Sequence, residues 1–129
     1  MINKVIEKLA DATSIISDGA SVFISGFGES GNPTELIHAL IDQGTRDLTI
    51  INNNAGNGHV GLAALLETGA VTKMVCSFPR STNSDVFERL YHRNQIELEV
   101  IPQGTLAERI RAAGAGLGGF YTRTSVGTF

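Results

Sequence analysis

The sequence is short of several things, and each shortage narrows what the chain can be. One cysteine, Cys76, occurs among 129 residues. No internal disulfide can form, which fits a reducing cytoplasm as the expected location. Three histidines are present, and no cluster of His, Cys and carboxylate has metal-ligand spacing, so no metal site is expected. The 10 basic and 13 acidic residues are mixed along the chain and leave a net charge of −3. Without a basic run, neither nucleic acid nor an anionic membrane surface is an expected partner. No apolar stretch approaches the ~20 residues of a membrane span. The first nine residues carry Lys4, Glu7 and Lys8 where a signal peptide would have an apolar core, so no leader is expected. GxSxG and P-loop lysine motifs are both missing.

What is present points to a folded chain. Apolar residues make up 42% and charged residues 18%, which speaks against disorder. The length predicts a single domain over residues 1–129. Glycine is abundant at 15 residues, and most glycines stand where apolar runs end. That placement predicts tight backbone turns near a ligand.

Periodicity predicts an amphipathic helix over 3–16, with Val5, Ile6, Leu9 and Ile16 at helical spacing. After the Asp18-Gly19 turn, residues 21–27 read as a buried strand. A helix follows, with Asn32 as N-cap, Pro33 at the first position, Glu35 completing a capping box and Gly44 ending it. Further strands are predicted at 48–51, 71–78 and 96–101. Further helices are predicted at 60–67, 85–93 and 105–113, the last opened by Thr105 with Glu108 in a capping box. Residues 114–129 carry no clear element. Strand and helix alternate four times with short connections. The predicted fold is therefore α/β, an open and mostly parallel sheet with helices packed on it.

In such sheets ligands bind beyond the carboxyl ends of the strands. Three loops fall there, at 26–33, 52–58 and 102–104. The first matches GxGxxG, a dinucleotide fingerprint. An acidic residue should then end the second strand, but Asn52-Asn53-Asn54 stands there, and the helix begins only after Gly31. A tight turn of positive φ is the plainer reading. The asparagines cannot titrate, so they suit polarising a carbonyl or holding an oxyanion, or simply capping the turn. Gln103 is a comparable neutral amide. Cys76 lies in an apolar strand and reads as a buried thiol. His38 and His92 read as surface residues, and His59 as a solvent-facing neighbour of the asparagine loop. Glu29 is a weaker candidate for a catalytic carboxylate. The chain offers amides and backbone donors, and no convincing nucleophile.

These residues also match a family. Asp18-Gly19, two spacers, Val22-Phe23-Ile24, Ser25-Gly26-Phe27, three residues, Gly31, one residue and Pro33 resemble the signature of the CoA-transferase A subunit. The family has glycine where Ser25 stands. Asn53-Asn54-Ala55-Gly56 and the run from Pro102 through Gln103, Gly104 and Thr105 to Arg109 resemble two further family blocks. The segment Cys76-Ser77-Phe78-Pro79-Arg80, with Ser84, Val86-Phe87 and Ile96-Glu97-Leu98-Glu99, resembles the 3-oxoadipate subfamily.

The resemblance implies a NagB–RpiA-like fold and the A subunit of a hetero-oligomeric CoA-transferase. It implies ping-pong transfer of CoA from succinyl-CoA to a 3-oxoacid, 3-oxoadipate above others, in aromatic degradation. The nucleophile would be a glutamate of the B subunit, and CoA a substrate, with no organic cofactor or metal needed. Asn53 and Gln103 match family positions near the reacting carbonyl. Gly26, Phe27, Gly28, Gly31, Asn54, Ala55, Gly56 and Gly104 match substrate-binding positions. The end departs from the family, with Arg123 replacing a proline and Ser125 a glycine. Family A subunits continue further, so the expectation is a form lacking the family's C-terminal elements, with a sheet edge left open. The alternative is an inactive α/β module that binds a nucleotide or a partner.

Overall fold

The computed structural model describes residues 2–128. In chain order its elements are α1 (Leu9–Thr13), β1 (Ser21–Phe23), α2 (Thr34–Gln43), β2 (Leu48–Ile51), α3 (Leu62–Glu67), β3 (Val71–Cys76), α4 (Asp85–His92), β4 (Glu97–Val100) and α5 (Gln103–Gly114). The strands pair in parallel, in the order β1-β2-β3-β4. This is the expected α/β class, with β1 and β4 as outer strands of the described sheet.

The strand order decides where the helices go. Each crossover moves one strand over in the same direction. Right-handed crossovers then put every connecting helix on one face. Ile37 and Leu40 of α2, Leu65 and Leu66 of α3, and Val86 and Phe87 of α4 share one core with Leu48, Ile50 and Met74 of the sheet. Leu65 and Leu66 are wholly buried. Each such leucine contributes about 1.5–3 kcal/mol by leaving water. Alternation along the strands sends Ile51 and Val75 to the opposite face, where α5 lays Leu106 beside them. That second face is covered by α5 alone among the described elements, next to the carboxyl ends of the strands.

Several predicted elements are shorter than their patterns. The helix expected over 3–16 contracts to α1, because Val5 and Ile6 find nothing to pack on and stay exposed. A helix without a buried face is marginal. Asn3 Oδ1 instead accepts the Val5 N–H at 3.0 Å. The strand expected over 21–27 stops at Phe23, and Gly26, at φ +132°, turns the chain away. The strands expected over 71–78 and 96–101 narrow to β3 and β4, and the helices expected over 60–67 and 85–93 to α3 and α4.

Two expected caps are absent. Pro33 occupies the N-cap position of α2, and the Asn32 side chain turns back to donate to Gly28 O at 2.9 Å. Pro102 likewise precedes α5, which starts at Gln103, two residues before Thr105. Glu108 is left to pair with Arg111 at 2.6 Å. A proline's locked φ suits a helix start by itself, so neither helix draws on a side-chain cap. Gly44 closes α2 in the left-handed conformation, as predicted.

Candidate functional site

The loops after β1, β2 and β3 and the first turn of α5 meet at the carboxyl edge of the sheet. Side-chain amides tie them together. Gly28 O accepts from Asn32 Nδ2 at 2.9 Å and from Asn54 Nδ2 at 3.4 Å. Ser25 Oγ donates to Gly31 O at 3.0 Å, and Asn52 Nδ2 reaches Ser25 O at 3.5 Å. The glycine loop and the asparagine loop thus form one unit.

The three asparagines divide their work. Asn52 and Asn54 are buried, at 3% and 4% exposure. Asn52 Oδ1 accepts the Asn54 N–H at 3.1 Å, and Asn54 Oδ1 the Gly56 N–H at 2.9 Å. These are turns closed by asparagine on its own backbone, which is the capping role. Asn53 differs. Its Oδ1 accepts from Ser77 Oγ at 2.7 Å and from Gln103 Nε2 at 2.8 Å. No described residue accepts from its Nδ2. Asn53 and Gln103, fifty residues apart in the chain, therefore touch.

A hollow of about 300 Å³ opens over this pair, lined by Phe27, Asn53, Ser77, Phe78 and Gln103. Phe27 and Phe78 stand as largely exposed aromatic walls. An adjoining groove of about 400 Å³ shares Asn53 and Gln103 and runs past Gly26, Ile51, Leu106 and Ile110. A larger hollow, about 630 Å³, lies between α1 and α2 against Glu35, His38 and Asp42. It is built from helix flanks rather than strand ends, so the site is assigned to the sheet edge.

Gly28 and Gly31 bend the first loop at φ +60° and +74°. Ala55 is buried behind the asparagines. Gly56, at φ +81°, lies so near α3 that an added Cβ would sit 2.6 Å from Ala63 N. Gly104 is exposed in the first turn of α5, so it and Gln103 are helical rather than part of a preceding loop. Glu29 faces a separate cleft of about 40 Å³ with Asn32 and Thr34. His59 pairs outward with Glu67 at 3.2 Å and Asp85 at 3.8 Å. His92 is exposed, whereas His38 is half-buried and accepts the Gly61 N–H at 3.3 Å. Cys76 is fully buried, and that burial pushes its thiol up to about 11, against a smaller downward pull from the Phe78 backbone. At neutral pH it is no thiolate. Lys73 lies 2.9 Å from Glu97 and 3.1 Å from Glu99, and both hold its ammonium above the usual value. That cation is committed to its neighbours.

Ser77 and Phe78 line the hollow without being among the site residues expected from sequence. The signal was available, since adjacent parallel strands bring their carboxyl ends side by side. The residues after β3 must therefore flank those after β2.

A model of the coenzyme A transferase family matches residues 6–129. Over 128 residues the chain is 59% identical to the A subunit of the 3-oxoadipate CoA-transferase of Pseudomonas putida, covering 99% of this chain and 55% of that one. It is 44% identical to the A subunit of a probable succinyl-CoA:3-ketoacid coenzyme A transferase of Bacillus subtilis, covering 98% of this chain and 52% of that one. An acyl-CoA transferase of Escherichia coli O157:H7, solved as a thioester complex with CoA, has a TM-score of 0.77 and 29% identity. That match covers 94% of this chain and 25% of the other. The chain spans about half the length of the curated relatives it matches.

Proposed function

The chain belongs to the coenzyme A transferase family, and on that premise we propose that it forms the A side of a site moving CoA from succinyl-CoA to 3-oxoadipate. A B subunit, in a hetero-oligomer, brings the glutamate nucleophile. The observation that carries this reading is the contact between Asn53 and Gln103 at the strand ends, with no acceptor for Asn53 Nδ2 among the described residues.

The chemistry needs what those residues supply. The partner's carboxylate attacks the thioester carbon of succinyl-CoA, and the carbonyl oxygen takes up the negative charge. The C–S bond breaks, CoA leaves as thiolate, and an acyl anhydride remains. The thiolate then attacks the glutamyl carbonyl of that anhydride, succinate departs, and a glutamyl-CoA thioester is left. The carboxylate of the 3-oxoacid runs the same steps in reverse. Every step passes through an oxyanion, and none requires a net proton transfer. A pre-positioned amide N–H near that oxygen is worth about 10²–10³ in turnover. Phe27 and Phe78 wall the hollow. An anhydride is prone to hydrolysis, so walls that keep water away protect it. CoA enters as substrate, and the transfer as written draws on no metal or organic cofactor. The lining of the hollow, with amides and a hydroxyl but no carboxylate, thiol or imidazole among the described residues, is compatible with a nucleophile from another chain. The higher identity to the 3-oxoadipate relative supports that acid over other 3-oxoacids.

The test is intact-mass measurement on the chain paired with a B subunit, after incubation with succinyl-CoA. A CoA adduct on the B subunit is expected. An adduct on this chain, or none on either, refutes the assignment.

A further inference from the structure

Ser77 follows β3 directly and sits next to the fully buried Cys76, so its backbone is anchored in the sheet. Its Oγ lies 2.7 Å from Asn53 Oδ1 and 3.1 Å from Asn53 O. The Asn53 backbone carbonyl already accepts from Ser77 N at 3.2 Å and Phe78 N at 3.0 Å. The hydroxyl proton therefore goes to the side-chain oxygen. Gln103 Nε2 fills the second lone pair of that oxygen at 2.8 Å. Two donors on one amide oxygen leave the side chain a single orientation, with Oδ1 engaged by both and Nδ2 without an acceptor among the described residues. Gln103 is exposed on the first turn of α5, whereas Ser77 is half-buried. Ser77 is the firmer of the two anchors.

We propose that Ser77 is a positioning residue whose hydroxyl holds the Asn53 amide with its Nδ2 toward the hollow. The roles in the cluster then differ. Asn53 donates to the developing oxyanion, and Ser77 and Gln103 keep it aimed. The inference rests on the proposed role of Asn53 as donor, and two measurements separate the two claims.

The first measurement needs no activity. In the chain itself, the side-chain amide ¹⁵N–¹H signals of Asn53 and Gln103 should both shift in Ser77→Ala and stay in place in Ser77→Thr, which keeps the hydroxyl. Unmoved signals in Ser77→Ala overturn the proposal. The second is a double-mutant cycle on the chain assembled with its B subunit. Ser77→Ala should lower kcat roughly 3- to 10-fold, the size of one neutral hydrogen bond. KM for succinyl-CoA should hold, and Ser77→Thr should restore the rate. In an Asn53→Ala background Ser77→Ala should cost nothing further. The same fold loss in both backgrounds shows that Ser77 does not act through Asn53. If Asn53→Ala alone leaves turnover unchanged, the donor reading fails, and the amide signals still decide the role of Ser77.

Discussion

The Cys76 side chain is wholly buried, and burial raises its thiol from the ordinary 9.0 to about 11. A pH dependence follows. Between about pH 9 and 11 the unfolded chain loses this proton while the folded chain keeps it. The unfolded state then binds fewer protons, so stability falls as pH rises through that window. Urea midpoints for the native sequence and Cys76→Ala should draw together from about pH 8.5 to 10.5, the native one falling faster. A constant gap between them would contradict the burial argument. The same scale shows what a sequence can hide. Asn52, Asn53 and Asn54 are one letter repeated. Two close turns on their own backbone, and the middle one meets Ser77 and Gln103. Local sequence alone leaned toward turn capping for the run, which holds for Asn52 and Asn54 and not for Asn53. The choice is made by the neighbouring strand end, which the local sequence does not contain.

Among the elements, the helices and strands were legible where burial and turn chemistry agree. β2 matches its pattern because Leu48 and Ile50 face a core and Gly44 and Asp47 turn the chain just before it, at φ +76° and +58°. The helix over 3–16 shrank because Val5 and Ile6, near its start, have no surface to cover among the described residues, whereas Ile16 beyond α1 does pack on the core. The caps at Asn32 and Thr105 failed because a proline starts each helix one or more residues from the expected place. The loops hold two glycines that differ in what surrounds them. Gly58 has φ +58° with nothing near its missing Cβ, whereas Gly56 combines φ +81° with the backbone of α3 at 2.6 Å. Gly58→Ala should cost about 1–2 kcal/mol from the left-handed conformation alone. Gly56→Ala should cost clearly more in urea unfolding, since Ala63 N is backbone and cannot step aside. Equal costs would mean that the loop does not rest on α3 as described.

For the whole molecule, the alternation of elements announced an α/β sheet, but not the strand order. The order β1-β2-β3-β4 comes from tertiary packing, and it lays α2, α3 and α4 side by side over one core. The opposite face carries α5 next to the strand ends, which brings Gln103 against Asn53. Three loops converging on one edge were legible from the parallel alternation. The contact between residues 53 and 103 was not, because it depends on α5 starting at Gln103. If this edge is the A side of a CoA-transfer site, with Asn53 as its donor, loss of that one amide must slow the transfer. The most direct test is the rate of 3-oxoadipyl-CoA formation from succinyl-CoA, measured on the chain paired with a B subunit and on Asn53→Ala in the same pairing. Transfer by the native sequence is expected, with a loss of roughly 10²–10³ in kcat for the variant. Equal rates for the two, or no transfer with a B subunit proven active in another pairing, would contradict it.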